Sequence, residues 1–219
     1  MSIGENLKHI KHTLPEDVTL VAVSKTKSIS EIKEAYDTGH TVFGENKIQE
    51  MVQKWESMPE DIQWHMIGHV QRNKVKYMAE FVSLIHGVDS VRLLQEIDKR
   101  AQQHDRVIEC LLQIHIAEET TKFGLDADEL NELIHSDTFH KMKNIAITGL
   151  MGMATFTDDT DQVRREFRLL KTLFDTTQKV LPHISVLSMG MSGDYKIAIE
   201  EGSTMVRIGS SIFGARNAH

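Results

Sequence analysis

The chain has 219 residues, 40% of them hydrophobic and 26% charged, an ordinary composition for a globular protein long enough to bury a core without disulfides or structural metal. Its formal net charge of −7, from 25 Lys and Arg against 32 Asp and Glu, argues against a general electrostatic affinity for nucleic acid, although one local basic pocket stays open. The single cysteine, Cys110 in the apolar run IECLLQI, excludes an intrachain disulfide and reads as a buried, unreactive thiol suited to a reducing compartment.

The first residues, MSIGENLKHIKH, lack the apolar centre of a secretory signal, and residues 2–12 read as a helix. No stretch approaches the ~18 apolar residues of a membrane span, so a cytoplasmic location is the expectation. The first apolar, β-branched run is VTLVAVS, ending at Ser24, and a helical segment follows from Ser28 to Thr38 with Ile29, Ile32, Ala35 and Tyr36 on one face. Ser28 and Ser30 are both plausible caps and Gly39 a plausible stop. TVFG (41–44) is the second run, with a helix over 45–55; IQWHMIG is the third, and QRNKVKYMAEF after it reads as helix. VSLIHGV, VIECLLQIHI, NIAITGLMGM, ISVLSMG and TMVRIG supply the remaining strands. The helices between them fall at 91–104, in DADELNELIHS, at 162–180 and at 195–201.

About eight strand–helix units at ~25-residue spacing predict a single (β/α)₈ barrel domain over residues 1–219. The strands are apolar through much of their length, as expected when both faces are covered. A doubly wound open sheet is the competing arrangement, and pattern alone does not settle whether the sheet closes.

Sites in parallel α/β folds lie at the C-terminal ends of strands, and three such places stand out. Lys25 follows the first strand; a desolvated amine there can attack an aldehyde, although a lysine at a strand end also simply reaches solvent, and Lys27 is a rival. SMGMSGD (188–194) precedes a helix, where small residues and free amides favour an anion. VRIGSSIFG (206–214) ends strand eight, with Gly209, Ser210 and Ser211 as further donors. Barrel phosphate sites often use the loops after strands seven and eight; a pair of ordinary turns is the plainer alternative. Arg207, just before the last loop, is either an ion-pair partner within the fold or a donor reaching the mouth. The twelve histidines show no metal-ligand spacing: His65 and His69 fall at a strand–loop junction, and His9 and His12 have no evident third ligand. No GxSxG elbow is present, and Arg72, Lys74 and Lys76 read as a solvated helix face.

Together AVSKTK, FGEN, WHMIG, the QxNK of QRNK, the KFG of TTKFG, GLMGM, LSMGMSGD and GSTMVRIGSSIFGAR resemble the pyridoxal phosphate homeostasis protein family and run from residue 22 to residue 216. The resemblance implies a barrel like the N-terminal domain of alanine racemase. It also implies pyridoxal 5′-phosphate (PLP) held as a Schiff base on Lys25, and phosphate binding by Ser192, Gly193, Gly209 and Ser210. Arg207 would face the pyridine nitrogen, Asn46 would lie beside the cofactor, and His65 and Met151 would line the barrel mouth. MSGD stands where many relatives carry MSxD with a residue other than glycine at x, and SS follows RIG where many relatives have threonine; both keep the amides and a hydroxyl.

The resemblance further implies a carrier that buffers PLP or delivers it to PLP-dependent apoenzymes, without established catalytic activity, and a monomer is expected. The alternative is a small amino-acid racemase, which needs acids on both faces of the substrate. The related racemase takes one from a tyrosine contributed across a dimer with a second, β-rich domain. This chain ends shortly after strand eight, so that domain is expected to be absent. Of its three tyrosines, Tyr36 and Tyr77 fall in helices away from the mouth, leaving Tyr195.

Overall fold

The structure is a computed structural model describing residues 1–120 and 123–215. Eight parallel strands close into a barrel in chain order: β1 (Thr19–Val23), β2 (Val42–Glu45), β3 (Gln63–Met66), β4 (Leu84–Val88), β5 (Ile108–Ile114), β6 (Ile145–Gly152), β7 (Val186–Ser188) and β8 (Met205–Ile208). β1 pairs with β8 through Thr19↔Met205, Leu20↔Val206, Val21↔Arg207 and Ala22↔Ile208, so the sheet has no edge and the open-sheet alternative falls.

Around it lie α1 (Ile3–Thr13), α2 (Ile29–Tyr36), α3 (Ile48–Ser57), α4 (Val91–Gln103), α5 (Ala127–His135), α6 (Asp137–Lys141), α7 (Thr160–Gln178), α8 (Tyr195–Glu200) and α9 (Ser210–Phe213). Helix starts follow local chemistry. Ser2 with Glu5, and Ser28 with Glu31, form reciprocal capping boxes that satisfy first-turn amides, and Asp159 caps α7. Of the two serines predicted to cap α2, Ser28 does so. Among the described residues no helix is long and apolar enough to cross a membrane.

The expected helix after β3 is instead a short 3₁₀ helix, Arg72–Tyr77, followed by turns. Val75, Met78, Ala79 and Val82 keep helical spacing and are fully buried. The amides of Lys74 and Met78 nevertheless bond three residues back, to Gln71 and Val75. The Arg106 guanidinium then takes the carbonyls of Ala79 and Val82, both at 2.7 Å, so the segment ends without a further helical turn.

Strand alternation builds two cores. Outward residues such as Ala22, Phe43, Trp64, Ile85, Leu112, Leu150, Leu187 and Val206 pack against the helices. Val21, Leu84, Leu111, Met151 and Met205 fill the barrel interior, with Val42, Ile67, Met153 and Val186 against them. Cys110 is fully buried, and burial pushes its thiol far above the ordinary range.

Candidate functional site

Two residues past the last described position of β1, Lys25 is half-buried and continues the face that Val21 turns into the barrel. It occupies the second position of the turn Ser24–Lys27, closed by the Lys27 amide to the Ser24 carbonyl at 3.1 Å. Thr26, at the third position, has φ +64°, a left-handed conformation that glycine takes readily and a β-branched residue takes only under strain of about 1–3 kcal/mol. The rival lysine is committed elsewhere. Lys27 Nζ donates to the Phe213 carbonyl at 3.2 Å and lies 3.7 Å from Glu31.

A buried polar cluster backs this turn, with Glu45 Oε2 left without a hydrogen-bond partner among the described residues. Lys54 Nζ, on α3, donates to the Ser24 carbonyl (2.7 Å), Glu45 Oε1 (2.6 Å) and Glu50 Oε1 (2.7 Å). The Ser24 hydroxyl donates to Glu45 Oε1 at 2.7 Å, and the Thr26 amide donates to Glu50 Oε1 at 2.5 Å. Burial pushes the Glu45 carboxyl up, while the Lys54 ammonium and the Ser24 hydroxyl pull it back toward its charged form.

Inside the barrel a second chain of hydrogen bonds crosses from β3 to β8. His65 Nδ1 and His86 Nε2 are 3.0 Å apart, His86 Nδ1 and Ser188 Oγ are 2.9 Å apart, and Arg207 donates to Ser188 Oγ and to the Gly152 carbonyl (3.2 Å). Burial holds His65 down to about 4; it holds His86 well below its ordinary value, with the charges of His65 and Arg207 adding to the effect. Both rings are therefore neutral at physiological pH. A guanidinium only donates, so the chain is satisfied end to end when the Ser188 hydroxyl donates to His86 Nδ1 and His86 donates from Nε2 to His65. Arg207 is 3% exposed, and burial brings it down to about 10, against the opposing pull of Asp194. It stays a cation at neutral pH.

The two glycine–serine loops meet. The Gly209 amide donates to Ser192 Oγ at 3.3 Å, and Asp194 Oδ1 accepts from the Met191 amide at 2.7 Å, shaping the turn that carries Ser192 and Gly193. A Cβ placed on Gly193 would meet no protein atom, whereas one on Gly209 would press on the Val23 carbonyl at 3.2 Å. Ser210 is exposed at the start of α9, where the first amides lack partners within the helix. Asn46 follows β2 half-buried, and its Oδ1 is buried with no hydrogen-bond partner among the described residues.

The structure thus joins Ser192 to Gly209, sets Gly209 against Val23, two residues before Lys25, and puts Arg207 in the interior opposite Val21 of β1. His65 and Met151 lie within the barrel rather than exposed at its rim: His65 joins the polar chain, and Met151, 1% exposed, packs in the inner apolar cluster. Lys122 of the KFG motif and Arg216 at the end of the last motif lie outside the described residues. Sequence reasoning missed His86 and the role of Ser188. Each sits in an apolar run two residues beyond an interior residue, Leu84 and Val186, and that period of two is the signal that could have found them.

Residues 1–217 match the family described as Alanine racemase, N-terminal domain. The pyridoxal phosphate homeostasis protein of Vibrio alginolyticus is 38% identical, with 99% of this chain and 98% of that protein covered. Its counterpart in Aquifex aeolicus is 41% identical over 90% of this chain and 86% of that one. PipY of Synechococcus elongatus, solved with PLP bound, superposes with a TM-score of 0.88 at 33% identity, covering 97% of this chain and all of that one; solved without PLP it gives 0.92. Alanine racemase of Clostridium difficile shares the fold, with a TM-score of 0.80 at 15% identity, and this chain spans 57% of it. A closed eight-stranded barrel and near-full-length identity of this order place the chain in the pyridoxal phosphate homeostasis protein family.

Proposed function

We propose that this chain is a PLP-binding homeostasis protein whose single barrel domain, spanning 1–219, holds the cofactor at its mouth through Lys25 and keeps it available for PLP-dependent apoenzymes. The observation that carries the reading is the pairing of β1 with β8, which sets the Lys25 turn beside Arg207 and the Gly209–Ser210 loop. Bound PLP supplies an aldehyde that captures an amine, an electron-poor pyridine ring and a phosphate. The residues present fit each part. Lys25 offers the amine. Ser192, Gly193, Gly209 and Ser210 offer hydroxyls and amides around an open turn for the phosphate. The orphaned Asn46 oxygen offers an acceptor beside the ring. Arg207 has five N–H donors, and the partners seen for it are both neutral, so it fits a neutral ring nitrogen as a further acceptor.

A protonated Arg207 at that nitrogen keeps the nitrogen itself unprotonated, which weakens the ring as an electron sink and favours carriage over turnover. The tyrosines support the same reading. The Tyr195 hydroxyl lies 3.3 Å from Thr13 Oγ1 against α1, Tyr36 donates to Asp61 at 2.8 Å, and Tyr77 is half exposed between Lys74 and Lys76. None of the three hydroxyls points to the barrel interior as a racemase acid would.

Borohydride treatment of protein incubated with PLP should fix the label on Lys25, mapped by peptide mass spectrometry. A label on Lys27, or none, overturns the assignment. Racemisation of several amino acids, abolished by Lys25→Ala, would establish the enzyme instead.

A further inference from the structure

The cluster of Lys54, Glu45 and Glu50 has no part in the site so far, yet it is deeply built. Glu45 is fully buried, the Lys54 side chain is 6% exposed and that of Glu50 24%. A buried ion pair is a poor source of stability, since desolvation offsets its attraction, so the cluster calls for another explanation. Its bonds supply one. All three N–H donors of Lys54 are used, and one goes to the main chain on the N-terminal side of Lys25, the Ser24 carbonyl. Glu50 takes the main-chain amide on the C-terminal side, that of Thr26. Glu45 holds the Ser24 hydroxyl. Lys25 is thus gripped on both flanks, and the grip falls on the one turn residue, Thr26, whose φ of +64° a threonine does not adopt unaided.

We propose that Lys54, Glu45 and Glu50 form a positioning clamp that holds the strained Ser24–Lys27 turn and so aims the Lys25 amine at the aldehyde of PLP. The inference rests on the cofactor reading above. The clamp touches neither the amine nor the phosphate cradle. It acts through the backbone, and it fixes direction rather than affinity.

The test compares the rate at which PLP becomes attached to Lys25 with the affinity for pyridoxine 5′-phosphate, an analogue with the phosphate and ring but no aldehyde. Glu50→Ala and Lys54→Met should each slow attachment about tenfold or more, while the analogue's Kd moves less than about threefold. Glu50→Gln keeps an oxygen for the Thr26 amide and should stay within about threefold of the parent rate. In the unliganded protein, amide hydrogen exchange at Thr26 and Lys27 should rise about tenfold in Glu50→Ala and not in Glu50→Gln. If Lys54→Met fails to fold, the Glu50 pair decides. Unchanged attachment rates and exchange, or equal losses in rate and analogue affinity, would overturn the clamp. If the parent protein attaches no PLP at all, the cofactor reading fails, and the exchange experiment still judges the clamp.

Discussion

Arg207 is the residue whose environment is hardest to explain by stability alone. It is a cation sunk in the barrel with neutral partners, Ser188 and the Gly152 carbonyl, and its desolvation is uncompensated by any bonded carboxylate among the described residues. Removing it should therefore cost binding more than folding. Arg207→Ala is expected to weaken PLP retention about tenfold or more while the far-ultraviolet circular dichroism spectrum and the unfolding midpoint stay near those of the parent. Equilibrium dialysis checks the first part; retention equal to the parent's removes Arg207 from the site. At this scale the sequence showed which residue types cluster, but not how they connect. Lys25, Arg207 and the two glycine–serine loops were legible because each lies just before or after a strand end. His86 and the tie of Lys54 to Glu45 and Ser24 were not, because their partners come from other elements: 21 residues separate His86 from His65, 102 separate it from Ser188, and 30 separate Lys54 from Ser24.

Among elements, the eight strands were legible because β-branched runs are short, apolar and bounded by turn residues. The boundaries moved by a few residues where hydrogen bonds rather than composition decide, as at the 3₁₀ helix. The short α6 and α9 escaped notice, since a four- or five-residue helix has no period to detect. Closeness between strands leaves one sharp demand. A Cβ on Gly149 of β6 would sit 1.7 Å from the Val186 carbonyl of β7, and the neighbouring pair Met151↔Ser188 belongs to the interior. Gly149→Ala must push the two strands apart. The expected loss is about 3 kcal/mol, the upper end of overpacking costs, read from the urea midpoint. Gly193→Ala, whose Cβ meets nothing, should stay within about 0.5 kcal/mol. Equal effects at the two sites would refute the account of β6–β7 packing.

For the whole molecule, buried histidines couple folding to acidity. His40 and His65 are both held down to about 4 by burial, and His86 well below its ordinary value. An unfolded histidine binds a proton near pH ~6.5, so between about 6.5 and 4 the unfolded chain carries more protons than the folded one. The stabilisation is present in full above that window and is lost as pH falls through it, at up to about 1.4 kcal/mol per pH unit for each histidine. Glu45, whose carboxyl is pushed up, works the other way by taking its proton in the folded state first. Three groups against one give a net fall. Guanidinium unfolding at pH 7 and at pH 5 should show a clearly lower midpoint at pH 5, and His65→Gln should flatten the difference; a midpoint independent of pH across that interval contradicts it.

The junction between the first strand and the last has a temporal meaning. Thr19 lies against Met205 and Ala22 against Ile208, so the two halves of the candidate site come from the first and the eighth strand of the barrel. During synthesis Lys25 emerges with the first strand and lacks the Gly209–Ser210 loop until the eighth has been made. On the proposed reading, capture of the aldehyde then requires the closed barrel, and a chain released before its eighth strand would carry the lysine without the rest of the site.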